Sequence, residues 1–551
     1  MAEELISDVS AATYYTTAQG FEDAVKATYS EMKPFFGPER GFTMMAFGTD
    51  VHMNGADGSH KAINRYDGGL NPSQSFVRDT WRDFYRGINQ ANAVINRAAG
   101  LTDIDEDLKN QRIAEVRFLR AFYYFTLTET YGDIHLSLEE TEGIETTANR
   151  TAQADIYSQA IIPDLEAAIS VLPDVQGDKG RATKPAAQFL LGKALLTKSY
   201  RSFGSSSDAA QAESLLTSVI DDYGFTLAND YRELFGLNGR DEAEFISTCE
   251  DLPEHIFLVQ NSKSQVDEAL DGFGHRGHLY FLFEYDVRLG MTRDVANGRP
   301  WKRFQPTPFS LSLWDRSIDR RYDDTYKKVW YSNNPASIPV WTQEEASAGH
   351  VSSSLVGQPK YELGDTAVYF PGPGEDAAWP ADRKAKARYL VFTSEDYTEK
   401  IFPSLNKWID DTRPDRQKTQ GQRDFYLMRL GEAYLLRAEA RFQQGDLIGA
   451  AEDINVIRTR AAWPGKEADM QITAADVDID FILDERAREL DGEGQRWWDL
   501  VRTGKLVERV RLHNPQAAPN IQDYHIFRPI PQDQIDRTEG GYPQNPGYPG
   551  A

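Results

Sequence analysis

Apolar residues recur at helical spacing through the first 230 or so residues and again near the end of the chain; between them the spacing fades. In GFEDAVKATYSEMKPFF (20–36), Phe21, Val25, Tyr29 and Met32 fall at i, i+4, i+8 and i+11, one stripe of a helix. SFVRDTWRDFYRGINQANAVINRA (75–98) repeats the stripe through Phe76, Thr80, Phe84, Ile88 and Ala91. QRIAEVRFLRAFYYFTLTETYGD (111–133) is apolar on nearly every side, which predicts a helix enclosed by others and stopped at Gly132. Two more helices are expected in ADIYSQAIIPDLEAAISVLP and KPAAQFLLGKALLTKSYRSFG, the second with Pro185 near its start and Gly204 at its end.

From about 240 to 420, prolines, glycines and scattered aromatics replace the stripes. PEHIFLVQNS and GHLYFLFEYDV read as short strands, and PGPGEDAAWPADRKAKA reads as loop. Helical spacing returns in DFYLMRLGEAYLLRAEARFQQGDLIGAAEDINVIRTRA (424–461), predicted as helix, Gly445-Asp446 turn, helix. Its small residues and tight turn fit a tetratricopeptide-like hairpin, and 111–172 and 184–222 can be read as further irregular hairpins.

Composition narrows the partners. Acidic residues outnumber basic ones 85 to 60, a net charge of −25 that repels phosphate backbones, so nucleic acid is not expected. The single cysteine, Cys249, excludes an intramolecular disulfide and a multi-cysteine metal cluster. No run of about 18 apolar residues occurs, so no membrane-spanning helix is expected. Catalytic signals are sparse. Glu489 and Glu493 form one of many carboxylate pairs and read as a solvated helix face; Glu493–Arg496 and Asp499–Arg502 have the spacing of surface ion pairs. His275 and His278 lack a third metal ligand, GDKGRATK reads as a polar turn, and no G-x-S-x-G elbow or Walker-type loop is present. No cofactor is expected.

Several separated stretches carry a family resemblance. TWRDFYRGINQANAVINR, AEVRFLRAFYYFTLTETYGDIHL, RLGEAYLLRAEARFQQG with INVIRTRA, ILDERARELDGEGQRWWDLVRTGK, and FRPIPQDQID with YPQNPGY resemble, in order, the blocks of the SusD/RagB family of glycan-capturing outer-membrane lipoproteins. The resemblance spans roughly residues 10 to 548. It implies a mainly α fold: four tetratricopeptide-like hairpins plus an irregular loop-rich subdomain with short strands. Within one SusD-like domain (1–551), the parts are expected at 15–235 (helical), 236–420 (loop-rich, glycan-binding) and 421–551 (helical, with closing loops).

The function so implied is non-catalytic capture of a polysaccharide or oligosaccharide and delivery to a SusC-like TonB-dependent transporter. The protein would face outward from the outer membrane on an N-terminal lipid anchor; neither a leader nor an anchor cysteine stands in this sequence. The net charge leans toward a neutral glycan such as a glucan, although Arg316, Arg320, Arg321, Lys327 and Lys328 could form a local cationic patch. Sugars are held by exposed aromatic faces with polar groups for the hydroxyls, and the middle region offers Tyr280, Trp301, Trp314 and Trp330, with Tyr331, Trp341 and Trp379 as further aromatics. The family also takes ligand contacts from the loop here written FGTDVHMNGADGSH, whose Asp50, His52, Asn54 and Asp57 suit hydroxyls; a plain surface turn or a weak calcium loop fits it too. Trp81 borders the same neighbourhood by resemblance. The tryptophan pair Trp497–Trp498 belongs to a family-wide block and reads as scaffold. Two other readings fit the residues: a glycoside hydrolase or lyase, and a cytosolic tetratricopeptide scaffold for peptides.

Overall fold

The computed structural model describes residues 17–141, 143–235, 249–261 and 274–550. Helix α1 (Ala18–Ser30) is capped by the Thr17 hydroxyl, which accepts from the Gly20 N–H, and α2 (Glu39–Ala46) follows. The second stripe is α3 (Ser75–Arg97), and the all-round apolar stretch is α4 (Glu106–Tyr131), stopped at Gly132 with φ of 79°, a conformation that favours glycine. Next come α5 (Ile162–Val171), α6 (Lys184–Ser199) and α7 (Ser206–Asp221); α6 ends ahead of Gly204. Past the middle region lie α8 (Leu430–Gln443), α9 (Leu447–Ala461), α10 (Ile479–Leu490), α11 (Arg496–Arg502) and α12 (Leu506–His513). From α3 to α9 each helix packs on the next, so the chain is mainly helical and stacks hairpin on hairpin.

Short strands hold the middle region to this stack. β1 (His52–Asn54) pairs antiparallel with β3 (Phe304–Pro306), and β2 (His255–Val259) with β7 (Phe425–Arg429). β4 (Val329–Tyr331), β5 (Thr366–Tyr369) and β6 (Leu390–Val391) form a three-stranded sheet over a smaller apolar cluster around Phe283, Tyr285 and Trp330. Two sequence expectations are corrected here. The predicted hairpin at 424–461 opens with strand β7, because Phe425 to Arg429 are buried on both faces and pair with β2. GHLYFLFEYDV forms no strand; a short helical turn over Gly277–Tyr280 lets Leu279, Tyr280, Phe281 and Phe283 all enter the core.

The acidic helix α10 also departs from expectation. Glu489 and Glu493 are buried, not solvated: Arg429 reaches Glu254 (2.9 Å), Glu489 (2.6 Å) and Glu493 (2.7 Å). Arg321 contacts Asp319 (2.7 Å), Glu485 (2.8 Å) and Glu489 (3.1 Å), Lys407 contacts Glu493 (2.8 Å), and Arg460 contacts Glu254 and Glu489. Burial alone would raise the Glu485 carboxyl, but Arg321, Arg488 and Arg458 outweigh it and hold the pKa at about 2. Glu489 is held down the same way, against burial, by Arg460, Arg429 and Arg321. The expected Glu493–Arg496 surface pair does not form, since Arg496 turns to Asp50; Asp499–Arg502 does form, at 2.9 Å, but buried. Trp497 is buried with the Arg528 guanidinium 4.4 Å above its ring, and Trp498 donates to the Thr130 hydroxyl (3.2 Å), so the pair fastens the closing loops to the helices.

Two outcomes follow. Arg429→Met takes one shared cation from three buried carboxylates, which keep only Arg321, Arg460 and Lys407, and should cost about 3–5 kcal/mol in urea unfolding; a loss under about 1 kcal/mol would show that the network is dispensable. Burial depresses His255 to about 4 and lowers His275 and His278 as well, so these rings are neutral when folded. The unfolded chain therefore binds protons that the folded one refuses. The stability these histidines contribute is complete above about pH 6.5 and is lost as pH falls from there toward 4; the depressed carboxylates add a second loss below about pH 4.5. A melting midpoint unchanged from pH 7 to 5 would contradict this.

Candidate functional site

The β1–β3 ribbon brings together two stretches that lie far apart in sequence: the loop after β1 and the segment NGRPWKRF before β3. Their backbones interlock. Gly55 N–H donates to Arg303 O (2.8 Å), Asp57 N–H to Lys302 O (3.2 Å), and Ala56 N–H to Glu399 O (2.8 Å). Gly55 is required at this crossing, because a Cβ there would lie 2.3 Å from Lys302 O. Lys302 itself sits at φ of 43°, a strained value for a side-chain-bearing residue.

Trp301 is the partly exposed ring of this patch. Its backbone N–H donates to Leu279 O (2.7 Å), its ring leans on Tyr280 (6.1 Å between centroids), and the Arg303 and Arg299 guanidiniums lie 5.1 and 5.8 Å from it. Charged groups of both signs surround it. Lys302 Nζ lies 3.1 Å from Asp57 and 3.5 Å from Glu284, Lys400 is 3.6 Å from Glu284, Lys61 is 3.7 Å from Glu399, and Arg303 is 2.9 Å from Glu39. A fixed aromatic face ringed by donors and acceptors can stack a sugar ring and bond its hydroxyls.

Of the residues expected to touch glycan, Asp57 and Trp301 meet here and keep exposure; the others are placed differently. Asp50 is fully buried between Arg496 (2.5 Å) and Arg509 (2.7 Å), which overcome burial and hold its pKa at about 2, so it anchors the loop to α11 and α12. His52 is buried with Nδ1 3.6 Å from Asp491, and burial lowers its pKa. Asn54 is buried in β1 beside Gln516, to which its N–H donates (2.9 Å). The alternation of a strand turned these polar residues inward, where the sequence suggested one surface cluster. Among the described residues no group of three or more acidic, histidine or cysteine side chains is placed to hold a metal ion.

The remaining aromatics are mostly core. Tyr280 is buried against Phe42 and Phe304 and supports Trp301 from beneath. Trp314 packs edge-on against Tyr322 and Tyr326, and Trp330 is wholly buried, stacked on Tyr285 at 4.7 Å. Both rings lie in the core and not on the surface where the sequence placed them, which corrects the expectation for both. Trp341 is also buried, whereas Tyr331 and Trp379 keep exposure. Trp81 is buried too, with Nε1 donating to Gln534 (3.1 Å), but it floors a polar groove of about 310 Å³ walled by Arg78, Tyr85, Asn89 and His135.

The cationic patch expected from Arg316, Arg320, Arg321, Lys327 and Lys328 does not form. Asp323, Glu375, Asp230, Asp324 and Asp319 pair with four of them, and Lys327 is held by Asn297 and the Trp330 ring. His275 and His278 are buried with separate partners, Gly277 N–H and Thr419 O. Sequence reasoning missed Glu284, Lys302, Glu399 and Lys400. Lys302 stood beside the chosen tryptophan, but only the fold brings the other three to it.

Comparison with known proteins places this architecture. Residues 393–548 match the model of the SusD family, and residues 11–196 match a family described as starch-binding associating with outer membrane. A SusD-like protein of Formosa agariphila is 23% identical over 100% of this chain and 96% of its own length. The starch-binding protein SusD of Bacteroides thetaiotaomicron is 26% identical over 84% of this chain and 76% of its own. Among solved structures, a laminarin-binding SusD-like protein superposes with a TM-score of 0.68 at 22% identity, covering 97% of this chain and 100% of that one. NanU of B. fragilis superposes at 0.70 with 19% identity, over 99% and 100%. With the family blocks in order from end to end and the helical stack in place, this chain belongs to the SusD family.

Proposed function

We propose that the protein captures a polysaccharide or oligosaccharide at the cell surface without cleaving it, and that the Trp301 patch is the contact site. The observation that carries this reading is the interlock of the 55–61 loop with Trp301, Lys302 and Arg303, which presents one partly exposed ring amid groups of both signs. Membership of the SusD family supports it, as do a starch-binding relative and a laminarin-binding structural neighbour. The ligand we propose is a neutral glycan such as a glucan. The chain carries −25, and Arg316, Arg320, Arg321 and Lys328 of the middle region are matched by carboxylates and not gathered in a cationic groove.

A hydrolase needs two carboxyls flanking a bond in an open cleft, one of them kept protonated. Asp424 is pushed up by burial and by Glu250 beside it, which makes that pair the nearest match. Both carboxyls are buried: Asp424 accepts from the Asn261 N–H (2.8 Å), its own N–H donates to Glu250 (2.9 Å), and Lys179 lies within 3.7 Å of each. This favours a structural role over turnover. Delivery to a SusC-like TonB-dependent transporter and outward display on a lipid anchor are proposed on family membership, and copurification with such a transporter from outer membranes tests the first.

Affinity electrophoresis against laminarin, starch, mannan, inulin and alginate tests the site. Wild-type protein should be retarded by at least one neutral glycan and release no sugar on incubation. Trp301→Ala should weaken the affinity about tenfold or more, the scale of one lost stacking contact. Trp314→Ala should leave affinity intact while costing about 3–5 kcal/mol of stability, as truncation of a core aromatic does. Equal retardation of Trp301→Ala and wild type would overturn the assignment.

A further inference from the structure

Three aromatic rings gather at a second place on the surface. Tyr369 closes β5, Tyr389 precedes β6, and Trp379 stands on the loop between them. The ring centroids are 5.8 Å (Tyr369–Trp379), 6.2 Å (Trp379–Tyr389) and 6.3 Å (Tyr369–Tyr389) apart, and all three residues are partly exposed. Tyr389 leans on the small cluster around Trp330, while Tyr369 and Trp379 belong to neither that cluster nor the main core.

The loop that carries Trp379 is fixed without it. Arg316 donates to Pro371 O (2.6 Å) and Pro373 O (3.1 Å) and pairs with Glu375 (2.7 Å). Gly372, at φ of 77°, turns so close to Tyr322 that a Cβ would meet its hydroxyl at 2.3 Å. Asp376 accepts from the Ser394 N–H (3.1 Å), and Lys384 fastens the following turn to Asp396 (2.6 Å). Holding the loop in place therefore leaves Trp379 unaccounted for. Its ring has a cation over it, the Arg383 guanidinium at 4.1 Å, and beside it stand Glu375, which accepts from the Tyr369 hydroxyl (2.6 Å), and the exposed Arg383 itself. A rigid ring cluster with charged hydrogen-bonding groups at its rim has the chemistry that holds a pyranose.

We propose that Tyr369, Trp379 and Tyr389 form a second carbohydrate-stacking platform, separate from Trp301, that holds a distant stretch of the same polysaccharide chain. This rests on the glycan-capture reading. The segment from Tyr389 to Glu399 links the platform to the Trp301 patch, and about ten residues of chain span at most about 35 Å. A polymer long enough to reach both places gains from the second contact as an intramolecular event, and a glycan that fills only one of them does not. The opposing charges on the rim suit a neutral sugar, as at Trp301.

The test uses the full chain against the glycans named above. Trp379→Ala should weaken retardation by the polysaccharide about tenfold, while titration with the matching tetrasaccharide changes by less than about twofold. Trp301→Ala should weaken both. Fluorine NMR of 5-fluorotryptophan-labelled wild-type protein gives an independent reading: the Trp379 resonance, assigned by its loss in Trp379→Phe, should move on adding the polysaccharide. An unmoved resonance with undiminished retardation of Trp379→Ala would overturn the platform and leave the Trp301 site standing. If no glycan retards the wild type, the capture reading falls and the platform with it.

Discussion

The structure depends on one buried charge network, centred on Arg429 and the carboxylates of α10. Taking so many ions from water is costly, and the cost is recovered only when each guanidinium finds its carboxylates at bonding distance. Arg429 lies on β7, Glu254 beside β2, Arg321 in the middle region, Arg460 on α9, and Glu485, Glu489 and Glu493 on or just past α10. The C-terminal helical part and the loop-rich part thus meet in a single cluster. Neither can shift without weakening charge pairs in the other.

Further paired ions extend the same logic outward. Arg486 grips Asp499 through two bonds (2.9 and 2.8 Å), Arg502 grips Glu439 likewise, and Asp50 is clamped by Arg496 and Arg509. The last of these fixes the base of the loop that leads into β1. From β1 the ribbon to β3 sets the position of Trp301, so a partly exposed ring inherits its rigidity from ions buried beneath it. A binding surface that is ordered in advance loses less entropy when it takes up a flexible polymer.

Much of the architecture was legible in the chain. The stripes of α1, α3 and α4, the stop at Gly132, the hairpin turn at Gly445-Asp446 and the loop-rich interval all appear where spacing and turn residues place them. The charge network did not, because the pairs made by Arg429, Arg460 and Lys407 lie 29 to 206 residues apart while sequence spacing reveals only neighbours on one helix. Glu489 looked solvated for that reason. Of the proposed site, Asp57 and Trp301 could be named from composition and flanking polarity. Asp50, His52, Trp314 and Trp330 carry the same local signals, and only burial separates them from ligand-facing residues. A polar residue in a loop and a tryptophan between lysines read alike whether they face sugar or core.

A crystal structure of the protein with an oligosaccharide that retards it would test the central claim most directly. The account predicts an uncleaved glycan with one ring stacked on Trp301 and its hydroxyls bonded to Asp57, Glu284 or Lys302. A sugar seated in the Trp81 groove with Trp301 bare, or a cleaved product beside Asp424 and Glu250, would contradict it.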